Sequence, residues 1–530
     1  MSASSGAAWW QTGVIYQIYL RSFQDTDGDG IGDLNGVACR LSHLLELGVD
    51  AIWLSPIFPS PMADFGYDVA DYCGIDPIFG TLNDFDRLLG KVHRLGLKLI
   101  LDFVPNHTSD QHPWFLESRS SRSSPKRGWY IWRDPKPDGA PPNNWISEFG
   151  GSAWSFDEAS GQYYYHAYLA QQPDLNWRNP DVRAAMLDVL RFWLSRGVDG
   201  FRVDAIHHLF EDEELRDNPI NPGWRQGMSP ARRLTRLHTM DQPEVHDAIA
   251  AMRKVADEYD DRLMIGEAYL PIDRLMAYYG VDLSGFHLPF NFHLISTPWQ
   301  PAAIAHLIRN YEAALPSGGW PNWVMGNHDR SRVASRLGPE QARVAAMLLL
   351  TLRGTPTIYQ GEELGMQDAR ISPEHVQDPW ERNVPGLGLG RDPVRTPMRW
   401  SADMHGGFTT GRPWLPVDAT SIADVCRQGG DPTSSLSLYK RLLRLRKAEP
   451  ALSLGSYLEV GHSDSVLIYE RRYDGRRLQV ALNMSADTQT LPLALPIGKT
   501  LLSTAQTGIA ARDSDRLLRP HEGIIREVQT

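Results

Sequence analysis

Short apolar runs alternate with longer amphipathic stretches along the chain up to about residue 450. The run at 14–19 precedes a stretch of helical periodicity near 36–47, and the run at 51–54 precedes another near 83–95. A third apolar run follows at 97–104. Alternation of this kind predicts parallel strands that are connected by helices.

The alternation is interrupted once. From about 105 to 172 the chain is rich in Ser, Pro, Gly and Trp and has no helical period, and it is too long for an ordinary loop. A helical stretch returns near 181–195, and alternation then continues to 355–361. Beyond about 450 the apolar runs are short and β-like, as at 465–469 and 478–482.

These patterns predict an α/β protein that is built on a (β/α)8 TIM barrel. The barrel takes residues 1–104 and 173–449, and an inserted domain at 105–172 follows its third strand. A C-terminal antiparallel β-sandwich domain takes 450–530.

Composition narrows the function classes. The 530 residues carry a net charge of −11, which argues against nucleic-acid binding because phosphate backbones require a basic face. Cys39, Cys73 and Cys426 are too few and too far apart for a disulfide framework, so we expect a reducing compartment. The N-terminus lacks a signal-peptide pattern, and no apolar run of about 18 residues could span a membrane. We therefore expect a cytoplasmic monomer or homodimer.

Three acidic residues stand at the ends of apolar runs, namely Asp204, Glu267 and Asp329. A single acid in such a position is usually a loop residue or a helix cap, but three together indicate a sugar hydrolase. Cleavage of a glycosidic bond needs one ionised carboxylate near the sugar carbon and one protonated carboxyl for the leaving oxygen. Arg202 precedes Asp204 by two positions and faces the same way on a strand, so we expect it to keep Asp204 ionised.

Four stretches of the chain resemble the signature regions of glycoside hydrolase family 13, the α-amylase family. They are, in order, Asp102-Phe-Val-Pro-Asn-His107, Gly200-Phe-Arg-Val-Asp204, Gly266-Glu267 and Asn327-His-Asp329. Between the first two, Gln172-Pro-Asp-Leu-Asn176 is similar to the signature of the oligo-1,6-glucosidase and α-glucosidase subfamily. The resemblance extends from about Trp9 to the C-terminal region.

The resemblance implies a retaining mechanism for small α-glucosides. In it Asp204 is the nucleophile, Glu267 is first the acid and then the base, and Asp329 binds ring hydroxyls in the transition state. A filled pocket and the charge of Asp204 are expected to keep Glu267 protonated.

The resemblance also implies a site for the terminal glucose. Tyr67 would stack on the sugar ring, and Asp64 would bond its far hydroxyls. His107 and His328 would donate to hydroxyls of the same sugar. Arg395 resembles an arginine that pairs with the acid at the closed end of the pocket, although Arg391 competes for that role.

An acid-rich loop predicts a structural cation site. The carboxylates of Asp25, Asp27, Asp29 and Asp33, with the carbonyl of Ile31, offer the hard oxygen ligands that Ca²⁺ prefers. The loop is shorter than an EF-hand and lacks its terminal Glu. Mg²⁺ remains open, and members of the family often bind Ca²⁺ here.

Linkage preference is assigned from the residue after the nucleophile. In similar enzymes Val at this position accompanies α-1,6 cleavage, so Ala205 favours α-1,4 bonds by leaving room for the acceptor sugar. Arg330 stands where Gln is frequent and is expected on the acceptor side. The predicted activity is an exo-acting α-glucosidase with glucosyl transfer. A glucosyltransferase, an oligo-1,6-glucosidase or a sucrose-cleaving enzyme are the alternatives, and a non-catalytic scaffold is a remote one.

Overall fold

The computed structural model describes residues 6–417, 423–493, 495–496, 498–505 and 516–528. In these residues the strands are β1 Ile15–Ile18, β2 Ala51–Leu54, β3 Lys98–Phe103, β4 Trp132–Arg133, β5 Trp154–Asp157, β6 Gln162–Tyr165, β7 Gly200–Val203, β8 Leu263–Gly266, β9 Leu288–Pro289, β10 Asn322–Val324, β11 Thr355–Tyr359, β12 Ser456–His462, β13 Val466–Tyr473, β14 Arg476–Asn483, β15 Gln489–Thr490, β16 Lys499–Ser503, β17 Leu517–Leu518 and β18 Gly523–Glu527.

The α-helices of the same residues are α1 Trp9–Thr12, α2 Leu34–Leu47, α3 Leu82–Arg94, α4 Pro113–Ser120, α5 Pro180–Ser195, α6 Val245–Ala256, α7 Ile272–Met276, α8 His293–Ser296, α9 Pro301–Ala314, α10 Val333–Leu337, α11 Pro339–Thr351, α12 Pro379–Asn383, α13 Val425–Gly429, α14 Ser435–Ala448 and α15 Pro450–Ser453. Among the residues described, no helix is both long enough and apolar enough to cross a membrane.

Eight strands form one parallel sheet in the order β10-β11-β1-β2-β3-β7-β8-β9. A bridge between Asn291, just after β9, and Trp323 on β10 brings the two edges together. The sheet is therefore a nearly closed barrel, and the predicted (β/α)8 architecture is confirmed. In such barrels the loops at the carboxyl ends of the strands build the active site.

Local signals explain where the barrel helices begin. The Asp33 side chain accepts a bond from the N–H of Gly36 and caps α2, and Thr81 forms a capping box with Asp84 at the start of α3. The helix α5 begins with Asn179 as its cap and Pro180 in the first turn. These caps lie close to the predicted helix starts.

The inserted domain lies between the third and fourth barrel strands, as predicted. Its strands form an antiparallel sheet in the order β4-β6-β5. Trp145, Trp154 and Tyr165 pack together in a core of their own, away from the barrel core. A bridge from His107 to Asp174 joins the two ends of the insertion, so its loops are held over the carboxyl end of β3.

The C-terminal strands form antiparallel sheets. Five of them pair in the order β12-β13-β14-β18-β16, and β15 pairs with β17. Leu491 and Leu518, next to or on the small sheet, pack against Ile468 and Ile524 of the large one. The predicted β-sandwich is confirmed, and its first strand starts at Ser456, directly after the one-turn helix α15.

Candidate active site

The three predicted catalytic acids lie at or beyond the carboxyl ends of barrel strands. Asp204 follows β7, Glu267 follows β8, and Asp329 lies beyond β10. The Asp204 N–H donates to the Phe103 carbonyl over 2.8 Å, and the Glu267 N–H donates to the Val203 carbonyl over 2.9 Å. The parallel ladder thus continues past the strand ends and fixes the backbone of both residues.

One cavity of about 720 Å³ brings the acids together with the predicted sugar-binding residues. Its volume is within the usual range for small-molecule sites, which is about 300–1,000 Å³. Besides the three acids, the residues that line it include Asp64, Tyr67, His107 and His328. Arg202 and Arg395 are buried beneath this lining.

Arg202 is shared by three carboxylates. Its Nη1 lies 2.8 Å from Asp102 Oδ1 and 2.6 Å from Asp204 Oδ1, and its Nη2 lies 2.7 Å from Glu267 Oε2. Only 1% of Arg202 is exposed. One buried positive charge is therefore shared among three carboxylates, which also oppose one another's ionisation.

Arg202 favours the ionised form of Asp204, but burial opposes it. That Asp204 is ionised in the free site stays a prediction from the sequence. Burial raises the pKa of Asp204 well above its usual value, and the opposing effect of Arg202 does not restore it, because Glu267 and Asp102 raise it as well. Burial likewise raises the pKa of Asp102 to about 6.

The hydrogen bonds show which oxygens remain for a substrate. Glu267 Oε2 accepts both from Arg202 and from the N–H of Ala205, the latter over 2.9 Å. A proton on Glu267 is therefore placed on Oε1. Asp204 Oδ1 accepts from Arg202, which leaves Oδ2 for a bond to carbon. One acid is thus arranged to donate a proton and its neighbour to attack.

Ala205 holds a left-handed backbone conformation, with φ of 46°. Its side chain is 1% exposed and is not part of the cavity lining. Its contact with the site is the backbone N–H that bonds Glu267. The linkage preference assigned from this side chain stays a prediction from the sequence.

Asp329 is held as an anion. Arg395 Nη2 lies 2.7 Å from Asp329 Oδ1, and Arg391 Nη1 lies 3.4 Å from the same oxygen. Burial alone would raise the pKa of Asp329, but the guanidiniums of Arg395 and Arg391 oppose it, and the pKa lies far below its usual value. The carboxylate is therefore available to accept from sugar hydroxyls.

The arginine that pairs with Asp64 is Arg391. Its Nη2 lies 2.6 Å from Asp64 Oδ1, and its Nε lies 2.7 Å from Asp378 Oδ2. Arg395 instead donates to Asp329 and to the His328 carbonyl oxygen. The assignment of Arg395 as the partner of the pocket acid is wrong, because packing gives that position to its competitor four residues earlier.

The two histidines are neutral. Burial lowers the pKa of His107 to about 4 and that of His328 to about 3. Gln17 donates to His328 Nδ1 over 2.7 Å, so the ring proton is on Nε2, which lies 2.7 Å from the Tyr67 hydroxyl. Tyr67 in turn donates to Asp102 over 3.1 Å. The Tyr67 ring is parallel to that of His328, with centroids 5.5 Å apart.

Several residues of the site were not assigned from the sequence. Asp102, which shares Arg202, and Gln172, which lines the cavity, both lie within the signature stretches, so a signal for them existed. Asp378 and Gln17 act through Arg391 and His328 and have no signature of their own.

The acid-rich loop lies outside the cavity. Asp25, Asp27 and Asp29 each offer one carboxylate oxygen, and these oxygens lie within 4.8 Å of one another. Asp33 does not belong to this group. Its oxygens accept from Thr26 and from the N–H of Gly36 at the start of α2. The three remaining carboxylates fit a hard cation such as Ca²⁺.

The predicted resemblance is borne out by comparison with known proteins. Residues 17–455 match the family of the alpha amylase catalytic domain. A probable alpha-glucosidase of Rhizobium meliloti is 46% identical over 92% of this chain and 91% of its own length. An oligo-1,6-glucosidase of Heyndrickxia coagulans is 38% identical over 98% and 99%. The solved structure of an alpha-glucosyl transfer enzyme, XgtA, superposes with a TM-score of 0.93 at 41% identity, covering 99% of this chain and 100% of that one.

Proposed function

The chain belongs to the α-amylase family of glycoside hydrolases, and from the geometry of its site we propose that it is a retaining, exo-acting α-glucosidase. The observation that carries the proposal is the sharing of one buried guanidinium by Asp204 and Glu267. This contact keeps the two carboxyls side by side, as a retaining mechanism requires. We expect a separation of about 5–5.5 Å between them.

In the first step Asp204 Oδ2 attacks the anomeric carbon of the glucose. Glu267 Oε1 gives its proton to the glucosidic oxygen, so the bond to the leaving group breaks as the bond to Asp204 forms. In the second step Glu267, now ionised, takes a proton from water, and the water oxygen displaces Asp204. Glucose is released with its original anomeric configuration.

Asp329 supports both steps without forming a covalent bond. Its charge is fixed by Arg395 and Arg391, so it accepts from ring hydroxyls of the glucose and stabilises the positive charge that develops on the sugar. His107 and His328 line the same cavity, and their contact with hydroxyls of the same ring stays a prediction from the sequence.

Exo action is proposed from the pair of Asp64 and Arg391. The ion pair spans 2.6 Å, and the Arg391 guanidinium packs over the Phe149 ring at 5.2 Å. Together with Tyr67, this pair would close the cavity beyond a single terminal glucose and accept its far hydroxyls. A chain that continued past this glucose would meet the ion pair.

The preferred bond is proposed to be α-1,4, with glucosyl transfer to other hydroxyls as a second outcome. Transfer follows from the chemistry, because the covalent intermediate reacts with any hydroxyl that occupies the acceptor side. The similarity to an α-glucosyl transfer enzyme supports this alternative, and the similarity to an oligo-1,6-glucosidase keeps α-1,6 bonds within the substrate range.

Calcium is proposed as a structural cation held by Asp25, Asp27 and Asp29. None of these residues lines the cavity, so the cation would stabilise the loop without taking part in catalysis. A cytoplasmic location and a monomeric or homodimeric state remain predictions from the sequence.

The proposal is tested with Asp204→Asn and with Asp188→Asn, an exposed acid on α5, as the matched control. We expect the Asp204 variant to lose at least about a thousandfold in kcat/KM on maltose, since an amide cannot act as the nucleophile. Its melting temperature should stay close to that of the wild type, and the control should retain full activity. Substantial turnover by a sequence-verified Asp204→Asn protein would overturn the assignment.

A further inference from the structure

The cavity carries a second set of charges that the mechanism does not use. Arg232, Arg236, Glu148 and Arg330 all line it. Two of the arginines lie on the long segment between β7 and α6, Glu148 belongs to the inserted domain, and Arg330 directly follows Asp329. Partial burial and then the positive charges of Arg236 and Arg330 lower the pKa of Arg232, whereas Glu148 raises it. The four groups therefore lie close enough to affect one another.

The positive charges of this set exceed the negative ones. Arg236 Nη1 lies 2.6 Å from Glu148 Oε1 and neutralises it. The other neighbour of Glu148 is His208, at 3.8 Å, and burial lowers the pKa of His208 so far that it is uncharged. Within the described part of the chain, neither Arg232 nor Arg330 forms a salt bridge with a carboxylate within 4.0 Å. Tyr269, and then the more distant Asp329 and Glu267, raise the pKa of Arg330.

Arg330 is held in a fixed orientation. Its guanidinium lies 4.9 Å from the centre of the Tyr269 ring, and that ring stacks on Phe292 with centroids 4.3 Å apart. The amide of Asn327 donates to the Tyr269 hydroxyl over 3.2 Å and fixes the platform. A guanidinium that lies on an aromatic ring keeps its N–H groups available for a planar anion.

A neutral sugar gives no reason for this arrangement. The three other arginines at the cavity, Arg202, Arg391 and Arg395, each form salt bridges with carboxylates. Hydroxyl groups need donors and acceptors but no net charge, so a neutral sugar does not account for two guanidiniums that form no salt bridge with the described residues at this end of the cavity.

We infer that the aglycone side of the cavity binds an anionic group, so that α-glucosides whose aglycone carries a carboxylate or a phosphate are preferred substrates. The inference rests on the proposed α-glucosidase activity and specifies its substrate class. In the reaction, water adds its hydroxyl to the anomeric carbon and its proton to the glucosidic oxygen. The products are glucose and a hydroxy acid anion or hydroxyalkyl phosphate, and no other reactant is needed.

The test compares 2-O-α-glucosylglycerate with 2-O-α-glucosylglycerol, in which a neutral hydroxymethyl group replaces the carboxylate. We expect the wild type at low ionic strength to favour the anionic substrate by about tenfold in kcat/KM, and the ratio to fall as NaCl screens the charges. Glycerate and glycerol 3-phosphate, compared with glycerol as product inhibitors, show which anion binds. Tighter binding of either than of glycerol supports the inference.

Two variants locate the effect. Arg330→Gln and Arg232→Gln should each reduce the ratio by about threefold or more, since each removes one positive charge from the anion site. Arg233→Gln makes the same change on the same segment, outside the cavity lining, and should leave the ratio unchanged. Because Arg232 is exposed, its variant should fold even if the Arg330 variant does not.

The outcomes separate the two proposals. A wild-type ratio of one or less, or a ratio that neither arginine variant changes, overturns the anionic aglycone while the glucosidase activity stands. If the enzyme cleaves neither of these glucosides nor maltose, the proposed function fails, and the inference fails with it.

Discussion

The guanidinium of Arg391 lies 2.6 Å from the carboxylate of Asp64 and joins the loop after β2 to the loop after β11. The two residues are 327 positions apart. Both side chains are buried, so the charge of either one would destabilise the folded state if its partner were removed. The ion pair forms one boundary of the cavity, and it is the basis on which we propose that a single glucose fills the site.

A double-mutant cycle tests this pair. Arg391→Gln should lower stability by about 3–5 kcal/mol, because Asp64 is then a buried carboxylate without its partner. Asp64→Asn should cost less, because Arg391 still pairs with Asp378. The coupling energy between the two substitutions should be at least about 1 kcal/mol. The cycle of Asp64→Asn with Arg395→Gln is the matched control, and its coupling should be smaller. Equal coupling in both cycles would contradict the assignment of Arg391.

The second prediction concerns the backbone of Ala205. At φ of 46° a β-branched side chain is strained, so Ala205→Val should destabilise the protein by about 1–3 kcal/mol. The strain should also shift the Ala205 N–H that bonds Glu267 and change the ratio of kcat/KM for maltose and isomaltose. Ala205→Gly is the control and should keep the wild-type stability within about 1 kcal/mol. If Ala205→Val were as stable as the wild type, the proposed backbone strain at this position would be wrong.

The barrel and the three acids could be predicted from the sequence. The period of the apolar positions predicted the barrel, and the signature stretches contained the three acids, because both are local patterns. The partner of Asp64 could not be predicted from the sequence, because Arg391 and Arg395 lie in the same loop. Packing across the barrel selects between them. The left-handed conformation of Ala205 likewise has no sequence signal, because alanine rarely adopts it.

The contact of three carboxylates with Arg202 could not be predicted from the sequence for a similar reason. Alternation along a strand shows that Arg202 and Asp204 face the same way, but it gives no information on neighbours in β3 or after β8. Asp102 and Glu267 reach the same guanidinium only because the parallel register places those strands on either side of β7. Asp33 could have been recognised as a helix cap, because it lies shortly before the predicted helical stretch, but it was predicted to be a metal ligand.

The third prediction distinguishes the metal ligands from the helix cap. Asp29→Ala should lower the melting temperature in calcium but not in EDTA, because a cation that binds only the folded state stabilises it by mass action. Asp33→Ala should cost about 1 kcal/mol in both buffers, since it removes the cap of α2. If EDTA and calcium gave the wild type the same melting curve, the proposed site would be rejected.

The fourth prediction concerns the pH dependence of stability. Neither carboxylate oxygen of Glu362 has a hydrogen-bond partner among the described residues, and a Cβ added to Gly326 would lie 2.6 Å from Oε1. Burial raises the pKa of Glu362 to about 8 from its ordinary 4.5. The folded state therefore holds this proton more tightly than the unfolded state, and stability falls as pH rises from about 4.5 to 8.

Glu362→Gln should remove this loss, because the amide has the same shape but does not ionise. The melting temperature of the variant relative to the wild type should increase from pH 5 to pH 8. Glu46→Gln, on an exposed side chain, is the control and should show no such trend. A constant difference between Glu362→Gln and the wild type across this range would refute the proposed ionisation.

The configuration of the first product tests the central claim that Asp204 and Glu267, held by Arg202, act by a retaining mechanism. Proton NMR during the first minutes of maltose hydrolysis, with enough enzyme to outrun mutarotation, distinguishes the two anomers of glucose. The account predicts that the glucose unit from the non-reducing end of maltose is released as α-glucose. Two displacements restore the configuration at its anomeric carbon. Initial release of that unit as β-glucose would contradict the account, since it would require direct attack by water.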